Sequence, residues 1–282
     1  MKKQVPSLYK VLAIAGSDSG GGAGIQADIK TITALGGYAT TVITALTAQN
    51  TLGVHSIFEV PASFVGQQID AIMTDIGADA VKTGMLLCKD IVEMVSSKIR
   101  EYGIKRVVVD PVILSKNGKR LLSPDAVNTL ISQIFPLSYV VTPNIPEAEY
   151  ITGLKIKNAT HAEEAAKYIH QLGPSHVLIK GGHAGKSWDM QKKGKVIDMV
   201  YDGKSFEYVE GEYVPTKNTH GTGCTYASAI ATYLAKGNDL IAAVVQSKRF
   251  VTTSIQKSFN PGKGYGTLDQ PGAVAFSAVQ FP

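Results

Sequence analysis

The chain has 282 residues, of which 44% are hydrophobic and 18% charged, and its formal net charge is +5. This composition is typical of an ordinary globular protein. Nucleic-acid binding would require a wider basic face with interleaved aromatic residues than the cluster Lys192-Lys193-Gly194-Lys195 offers, so we expect no nucleic-acid partner. The mild positive charge suits an enzyme that handles anionic phosphates.

Cysteine content and hydropathy restrict the class of protein further. The two cysteines, Cys88 and Cys224, give neither a disulfide framework nor the spacing of a cysteine metal site. No apolar run of signal-peptide length follows Met1-Lys2-Lys3, and no segment approaches the roughly 20 apolar residues that span a membrane. We therefore expect a cytoplasmic protein without a membrane partner.

Patterns typical of strands alternate with patterns typical of helices along the chain. In chain order we predict a strand at 10–15, a helix at 25–35, a strand at 38–45, a helix at 61–73, a strand at 80–85, a helix at 90–100, a strand at 106–110, a helix capped by Ser123, a strand at 139–142, a helix to Leu172 with a Thr160–Glu163 capping box, a strand at 176–180, a hairpin around Asp202-Gly203, a helix after Gly223 and a last helix at 239–258. Such alternation indicates a parallel sheet with helices on both faces. We expect residues 1–282 to form a single domain, with its core at about 10–260 and a tail after 260.

Two glycine-containing loops look like nucleotide-binding motifs but lack a required residue. The first, Gly22-x-Gly24-x-x-Ala27, should be followed about 20 positions later by an acidic residue that binds ribose. No Asp or Glu occurs between Asp28 and Glu59, which argues against a dinucleotide-binding dehydrogenase. The second, Gly185-Lys186-Ser187, has Lys180 where a P-loop requires its first glycine. The first loop is instead expected to fold over a flat small molecule.

The most distinctive stretch is Gly221-Thr222-Gly223-Cys224, which precedes an alanine-rich helix. A helix start leaves backbone N–H groups unpaired and carries the positive end of the helix dipole, so it can bind a phosphate. The same field favours the thiolate form of Cys224. An anion site beside a potential base is suited to phosphoryl transfer to a hydroxyl group. The alternative interpretation is a glycine-rich turn with a buried structural cysteine.

Polar residues or glycines follow the predicted apolar strands. In a parallel sheet the carboxyl ends of the strands share one edge, where α/β folds bind ligands. We therefore expect one site at this edge, completed by the helix start at Gly221. The residues at the strand ends are Gly16 and Asp18, Thr47 and Gln49, Lys82, Asp110, Asn144 and Glu147, and Lys180.

Eight segments between about residues 10 and 260 resemble the hydroxymethylpyrimidine/phosphomethylpyrimidine kinases of the ribokinase superfamily. They are residues 15–18, 21–28, 48–51, 81–85, 110–111, 142–148, 180–183 and 220–224. The resemblance implies a ribokinase-like three-layer α/β/α sandwich with a mainly parallel central sheet. It also implies a thiamine-biosynthesis kinase that uses ATP and Mg²⁺. This enzyme would phosphorylate 4-amino-5-hydroxymethyl-2-methylpyrimidine and then its monophosphate, and would be a homodimer.

The resemblance also implies roles for individual residues. Cys224 would accept the hydroxymethyl proton as general base, and Lys180 would clamp a phosphate. The backbone N–H groups of Gly221, Thr222 and Gly223 would stabilise the transferred phosphoryl group. The residues implied to bind the nucleotide are Asn144, Lys180, Gly221 and Gly223. Asp110 and Glu147 would hold Mg²⁺ largely through water. The residues implied to contact the pyrimidine are Gly16, Asp18, Ala23, Thr47, Gln49 and Met85.

Some positions depart from the family pattern or stay open. Sugar kinases of the superfamily usually carry Asp where this chain has Cys224, and some pyrimidine kinases carry Glu where it has Gln49. Because a Gln amide both donates and accepts, we expect its contact to the pyrimidine to persist. Asp28 and Lys82 could be structural or part of the site. The alternative functions are a pyridoxal kinase and a non-catalytic sensor that binds the pyrimidine.

Overall fold

The computed structural model describes residues 8–114, 121–183 and 194–275, and these form a nine-stranded sheet with helices on both faces. The sheet order is β3-β2-β1-β4-β5-β6-β7-β8-β9. All neighbouring strands from β2 to β7 in this order pair in parallel, whereas β3, β8 and β9 join antiparallel at the two edges. The strands are β1 Lys10–Asp18, β2 Tyr38–Asn50, β3 Gly53–Glu59, β4 Ala80–Thr83, β5 Val107–Val109, β6 Val140–Val141, β7 His176–Ile179, β8 Lys195–Tyr201 and β9 Phe206–Glu212.

The helices cover the two faces of the sheet as two separate layers. They are α1 Gly24–Ala34, α2 Ala62–Met73, α3 Lys89–Glu101, α4 Pro124–Thr129, α5 Ile145–Thr152, α6 Ala159–Gln171, α7 Thr222–Ala235, α8 Leu240–Gln256 and α9 Gln270–Ala275. Short π and 3₁₀ turns follow α4 at Leu130–Ile134 and Phe135–Leu137, and a 3₁₀ turn follows β7 at Gly181–His183. No helix in the described part of the chain is both long and apolar enough to span a membrane.

Alternation along the strands explains the two layers. On β1, Leu12 and Ile14 belong to the hydrophobic cluster that includes α2, α3 and α6. Val11 and Ala13 belong to the other cluster, which includes α1, α7 and α8. Successive strand side chains point to opposite faces, so a strand that is apolar throughout must be covered on both sides. The predicted three-layer α/β/α sandwich with a mainly parallel sheet is confirmed.

The structure differs from the prediction in the region after Ala45. Strand β2 does not stop there but continues to Asn50 and pairs with β3, which the sequence analysis did not predict. Most residues of β3 are exposed, so the strand lacks the apolar alternation by which strands are recognised. Thr47 and Gln49 therefore lie on an extended strand, not in a turn beyond its end.

Two predictions about helix ends and the C-terminal segment are also wrong. Helix α6 begins at Ala159, and its N-cap is Asn158, whose side chain accepts a hydrogen bond from the His161 N–H, so Thr160 does not cap it. The described part of the expected tail packs on the domain: Leu268 is buried, and Gln270 donates to Thr225 on α7. Gly- and Pro-rich composition indicated a tail, but long-range contacts order this segment.

Candidate active site

The start of α7 is packed directly against the glycine loop of residues 20–24. Gly221 caps the helix with a φ of 86°, and a Cβ added there would lie 1.9 Å from the carbonyl oxygen of Gly22. Only glycine satisfies both the left-handed backbone and this close approach. Helix geometry leaves the N–H groups of the first turn, including those of Gly223 and Cys224, without acceptors inside the helix. The predicted anion-binding helix start is therefore at the edge where β1 ends.

An ion pair lies against the same turn of α7. Lys180, just after β7, donates to Asp110 Oδ1, just after β5, at 2.7 Å. A Cβ added at Gly223 would be 3.2 Å from Asp110 Oδ2 and 3.6 Å from Lys180 Nζ, so the helix and the pair are neighbours. Burial lowers the pKa of Lys180, but the carboxylates of Asp110 and Glu147 raise it more, and the net shift is upward. The structure thus keeps a cation beside the helix start.

Asn144 and Glu147 form the cap of α5. The Asn144 side chain accepts from the Glu147 N–H at 3.0 Å, and Glu147 Oε2 accepts from the Asn144 N–H at 2.9 Å. Glu147 Oε1 also accepts from the Ile113 N–H at 3.3 Å. Burial, opposed by Lys180 and reinforced by Asp110, raises the pKa of Glu147 to about 7. Asn144 and Glu147 lie beyond β6, as the sequence indicated, and their contacts with each other form the helix cap.

These contacts decide how a divalent cation could bind. Within residues 8–114, 121–183 and 194–275, no three His, Cys, Asp or Glu side chains converge as a ligand cluster. One oxygen of Asp110 is paired with Lys180, and both oxygens of Glu147 accept backbone N–H groups. Mg²⁺ prefers oxygen ligands and keeps several of its waters in such sites. The two carboxylates therefore fit a hydrated Mg²⁺ held through water, and do not fit a dehydrated ion enclosed by protein.

Cys224 lies at this edge, but as a thiol. Its side chain is half-buried, and burial raises its pKa to about 11. The Lys82 ammonium and the Gly24 N–H lower the pKa, whereas the carboxylates of Asp28 and Asp110 raise it. Desolvation and two nearby carboxylates therefore favour the thiol in this structure, against the predicted thiolate. The prediction of the sulfur's location is not affected by this correction.

Lys82 and Asp28, left open by the sequence, form a buried ion pair. Lys82 Nζ donates to both carboxylate oxygens of Asp28 at 2.9 Å, and Ser228 donates to Oδ1 at 2.7 Å. Neither charged side chain is exposed. The pair joins β4, α1 and α7 beneath the site. Lys82 also acts electrostatically on Cys224, so it influences the site without facing it.

The residues predicted for the pyrimidine pocket are brought together where β1 and β2 end. A Cβ added at Gly16 would lie 2.4 Å from Met85 Cε, so this glycine makes room for that side chain. Thr47 donates to the Ser17 carbonyl at 2.9 Å and lies 3.2 Å from Gln49 Oε1. The amide nitrogen of Gln49 lies 3.3 Å from His220 Nε2.

Asp18, predicted to contact the pyrimidine, makes contacts within the protein that organise the glycine loop. It is buried, and its carboxylate accepts from the N–H groups of Gly20, Gly22 and Ala23 at 2.8, 3.2 and 2.9 Å. Its Oδ2 also lies 2.8 Å from His220 Nε2. Burial raises the pKa of Asp18, but these contacts together lower it by more than burial raises it. The net shift is downward, so the carboxylate is ionised. Asp18 therefore holds the glycine loop in its folded conformation.

Sequence reasoning assigned no role to His220, Gln26 or Ser228. Gln26 accepts from the Asp18 N–H at 2.9 Å and donates to Ser17 at 2.8 Å, which braces the glycine loop. His220 immediately precedes the glycines of α7, which was the only available signal. Its partner Asp18 is 202 residues away in the chain, and no local pattern predicts such a contact.

Comparisons with known proteins identify the relatives of this chain. The profile of the family described as phosphomethylpyrimidine kinase matches residues 18–269. The chain is 49% identical over 259 residues to the thiamine biosynthesis bifunctional protein ThiED of Geobacter sulfurreducens, covering 92% of this chain but only 51% of that protein. It is 45% identical over 260 residues to the hydroxymethylpyrimidine/phosphomethylpyrimidine kinase of Bacillus subtilis, covering 92% of this chain and 94% of that one. The chain thus spans about half the length of the bifunctional relative.

Solved structures give a similar result. The ADP complex of Bacillus subtilis pyridoxal kinase superimposes with a TM-score of 0.85 at 37% identity, covering 94% of this chain and 98% of that one. Solved structures with this fold thus include proteins named pyridoxal kinase and phosphomethylpyrimidine kinase.

Proposed function

The chain belongs to the phosphomethylpyrimidine kinase family, and from this premise we propose that it transfers phosphoryl groups from ATP in thiamine biosynthesis. The first acceptor is the hydroxyl group of 4-amino-5-hydroxymethyl-2-methylpyrimidine, and the second is the resulting monophosphate. The observation that supports this most is the meeting of the Cys224 sulfur, the Lys180–Asp110 pair and the start of α7 at one sheet edge.

In the first step, the acceptor oxygen bonds to the γ-phosphorus while the bond from that phosphorus to the bridging oxygen of ADP breaks. The hydroxyl proton goes to the sulfur of Cys224, which must be a thiolate to receive it. Lys180 and the backbone N–H groups of Gly221, Thr222 and Gly223 stabilise charge on the transferred group. The same groups bind the nucleotide, with Asn144 beside Lys180.

In the second step, the acceptor is a phosphate monoester, whose second pKa of about 6 leaves it largely ionised at neutral pH. It needs no base, so Cys224 is dispensable for its ionisation. We propose that Asp110 and Glu147 hold Mg²⁺ through its waters. When bound, the ion supplies positive charge to the phosphates.

The experiment that tests the proposal measures ATP-dependent ADP formation with three acceptors: the hydroxymethylpyrimidine, its monophosphate and pyridoxal. We expect turnover with both pyrimidines and identification of the pyrophosphate product by mass spectrometry. Pyridoxal kinase is the second candidate, favoured by the structural match to that enzyme. Turnover of pyridoxal alone would replace the proposal, and pyrimidine binding without ADP formation would indicate the sensor.

We further propose a homodimer formed through the β3 edge. Five exposed large hydrophobic side chains of the described residues lie in one short stretch, which contains Leu46, Leu52, Ile57, Phe58 and Phe64. An exposed edge strand with apolar side chains is suited to a second copy. Light scattering after size exclusion should give a dimer for the wild type and a monomer for Phe58→Asp. If the wild type is a monomer as well as the variant, a dimer through this surface is rejected. The single domain, the cytoplasmic location and the absence of a nucleic-acid partner stay predictions.

A further inference from the structure

Another buried ion pair lies next to the turn that carries Lys180. Asp198 on β8 is paired with Lys248 on α8, and the Lys248 Nζ lies 2.7 Å from Asp198 Oδ2. The two side chains are only 1% and 10% exposed. The stem of Lys248 runs across Gly211 on β9, where an added Cβ would lie 2.5 Å from Lys248 Cε. The proposed mechanism gives this pair no role.

The sheet register places Asp198 opposite Lys180. Strands β7 and β8 pair antiparallel with Ile179 against Met199, so the next pair in the same register is Lys180 with Asp198. Opposite residues of an antiparallel pair point to the same face of the sheet. The contact of Asp198 with α8 and that of Lys180 with the start of α7 agree with this, because both helices cover one face. A carboxylate and an ammonium are thus in register and on the same face.

Lys180 nevertheless pairs with a different carboxylate, since its Nζ donates to Asp110 Oδ1 at 2.7 Å. Both oxygens of Asp198 are engaged elsewhere: Oδ1 accepts from the Gly181 N–H at 2.9 Å, and Oδ2 accepts from Lys248. A buried carboxylate without a partner is costly, so without Lys248 it would attract a neighbouring ammonium. The Lys248 ammonium thus leaves Lys180 to Asp110 and the start of α7.

We propose that Asp198 and Lys248 are positioning residues for the phosphate site. Asp198 holds the turn after Lys180 through the Gly181 N–H, and Lys248 neutralises Asp198 so that the Lys180 ammonium stays beside the start of α7. The inference rests on the proposed function, in which Lys180 binds the nucleotide phosphates. A buried ion pair usually adds little stability compared with apolar residues of similar volume. Here the pair determines where a neighbouring lysine points.

The test measures the calorimetric affinity of the protein for ADP and, separately, for 4-amino-5-hydroxymethyl-2-methylpyrimidine. In Lys248→Met the apolar stem is kept but the ammonium is lost, so Asp198 should capture Lys180. We expect the ADP affinity to fall by about tenfold, because a hydrogen bond to a charged group is worth this much. The pyrimidine affinity should stay within about twofold of the wild-type value, since the residues proposed to contact the ring lie elsewhere.

Two variants separate this effect from a loss of stability. Adding Asp198→Asn to Lys248→Met removes the buried charge but keeps an amide oxygen for the Gly181 N–H. The ADP affinity should then return to within about threefold of the wild-type value. The matched control is Val251→Ala, because Val251 is buried on the same helix. It should lower the free energy of unfolding and leave the ADP affinity unchanged.

Gly211→Ala tests the inference even if Lys248→Met does not fold. The added Cβ would meet the stem of Lys248 and should move its ammonium away from Asp198. The φ of Gly211 lies outside the left-handed region, so the new side chain adds no backbone strain. The ADP affinity should fall in the same direction as in Lys248→Met.

The outcomes separate the inference from the proposed function. Unchanged ADP affinity in Gly211→Ala or in folded Lys248→Met overturns the inference, and so does a loss that Asp198→Asn does not reverse or that is equal for ADP and the pyrimidine. If the wild type binds ADP but phosphorylates neither pyrimidine, the proposed function fails, and the ADP affinities still decide the inference. A wild type that binds no ADP overturns both. A lower ADP affinity that the second substitution restores supports the inference.

Discussion

In the proposed mechanism, the ionisation of Cys224 determines the rate of the first phosphorylation. Lys82 and the Gly24 N–H favour the thiolate, but burial and the carboxylates of Asp28 and Asp110 favour the thiol and raise the pKa to about 11. At neutral pH only a small fraction of the enzyme then carries the base. The thiolate fraction of Cys224 grows as the pH rises towards the pKa of the thiol.

This gives a pH prediction for the two steps. Between pH 7 and 9, below the pKa of about 11, the single-turnover rate of the first step should rise about tenfold per pH unit. The second step should be nearly level in this range, because its acceptor is ionised above its pKa of about 6. A level profile for the first step would contradict a requirement for the thiolate.

The matched variant for this prediction is Cys224→Asp, which places a carboxylate where sugar kinases of the superfamily carry one. A carboxylate is already ionised at pH 7, so the steep rise of the first step should disappear. The measurement is the same rapid-quench assay over the same pH range. If the first-step rate of Cys224→Asp rises with pH as steeply as that of the wild type, the pH dependence comes from a group other than Cys224.

At the scale of elements, the junction between the glycine loop and α7 sets the geometry of the site. Gly221→Ala should destabilise the protein by about 2 kcal/mol or more, because the left-handed backbone disfavours a side chain and the added Cβ meets Gly22. The KM for ATP should rise as the loop is displaced. Urea unfolding and steady-state kinetics measure the two effects.

Gly36→Ala is the control for the junction. Gly36 also has a positive φ, of 75°, but a Cβ there would meet nothing within 4 Å. Gly36→Ala should lower the free energy of unfolding only by the backbone strain, about 1 kcal/mol, and leave the KM for ATP unchanged. Equal destabilisation by both substitutions would mean that the contact with Gly22 does not matter.

The elements also differ in how well they could be predicted from the sequence. Apolar runs predicted the central parallel strands because burial on both faces leaves a pattern in each strand. Strand β3 was missed since it is exposed, and the Asp18–His220 contact was missed since its partners are 202 residues apart. The thiol state of Cys224 could not be predicted either, because it depends on carboxylates from two other elements.

At the scale of the whole molecule, the buried Lys82–Asp28 pair links the sheet to α1 and α7. Removing one partner of a buried pair leaves an uncompensated charge, which typically costs about 3–5 kcal/mol. Lys82→Met should therefore destabilise the protein by about this amount at pH 7, and adding Asp28→Asn should recover part of the loss. Urea unfolding of both variants measures it.

The pH dependence of the Lys82→Met variant has a definite sign. Burial already raises the pKa of Asp28, and loss of the Lys82 charge removes what opposes it. The folded state then holds the proton more tightly than the unfolded state. Stability of the variant should rise as the pH falls towards 5 and decline as the pH rises through the folded pKa. Unchanged stability over this range would show that Asp28 carries no charge to compensate.

The central claim is that phosphoryl transfer to an alcohol occurs beside the sulfur of Cys224 at the start of α7. Its most direct test is the pair of single-turnover rates in Cys224→Ala, one with the hydroxymethylpyrimidine and one with its monophosphate. We predict that the first rate falls far more than the second, because only the alcohol must lose a proton. Equal losses in both rates would contradict the role of Cys224 as general base.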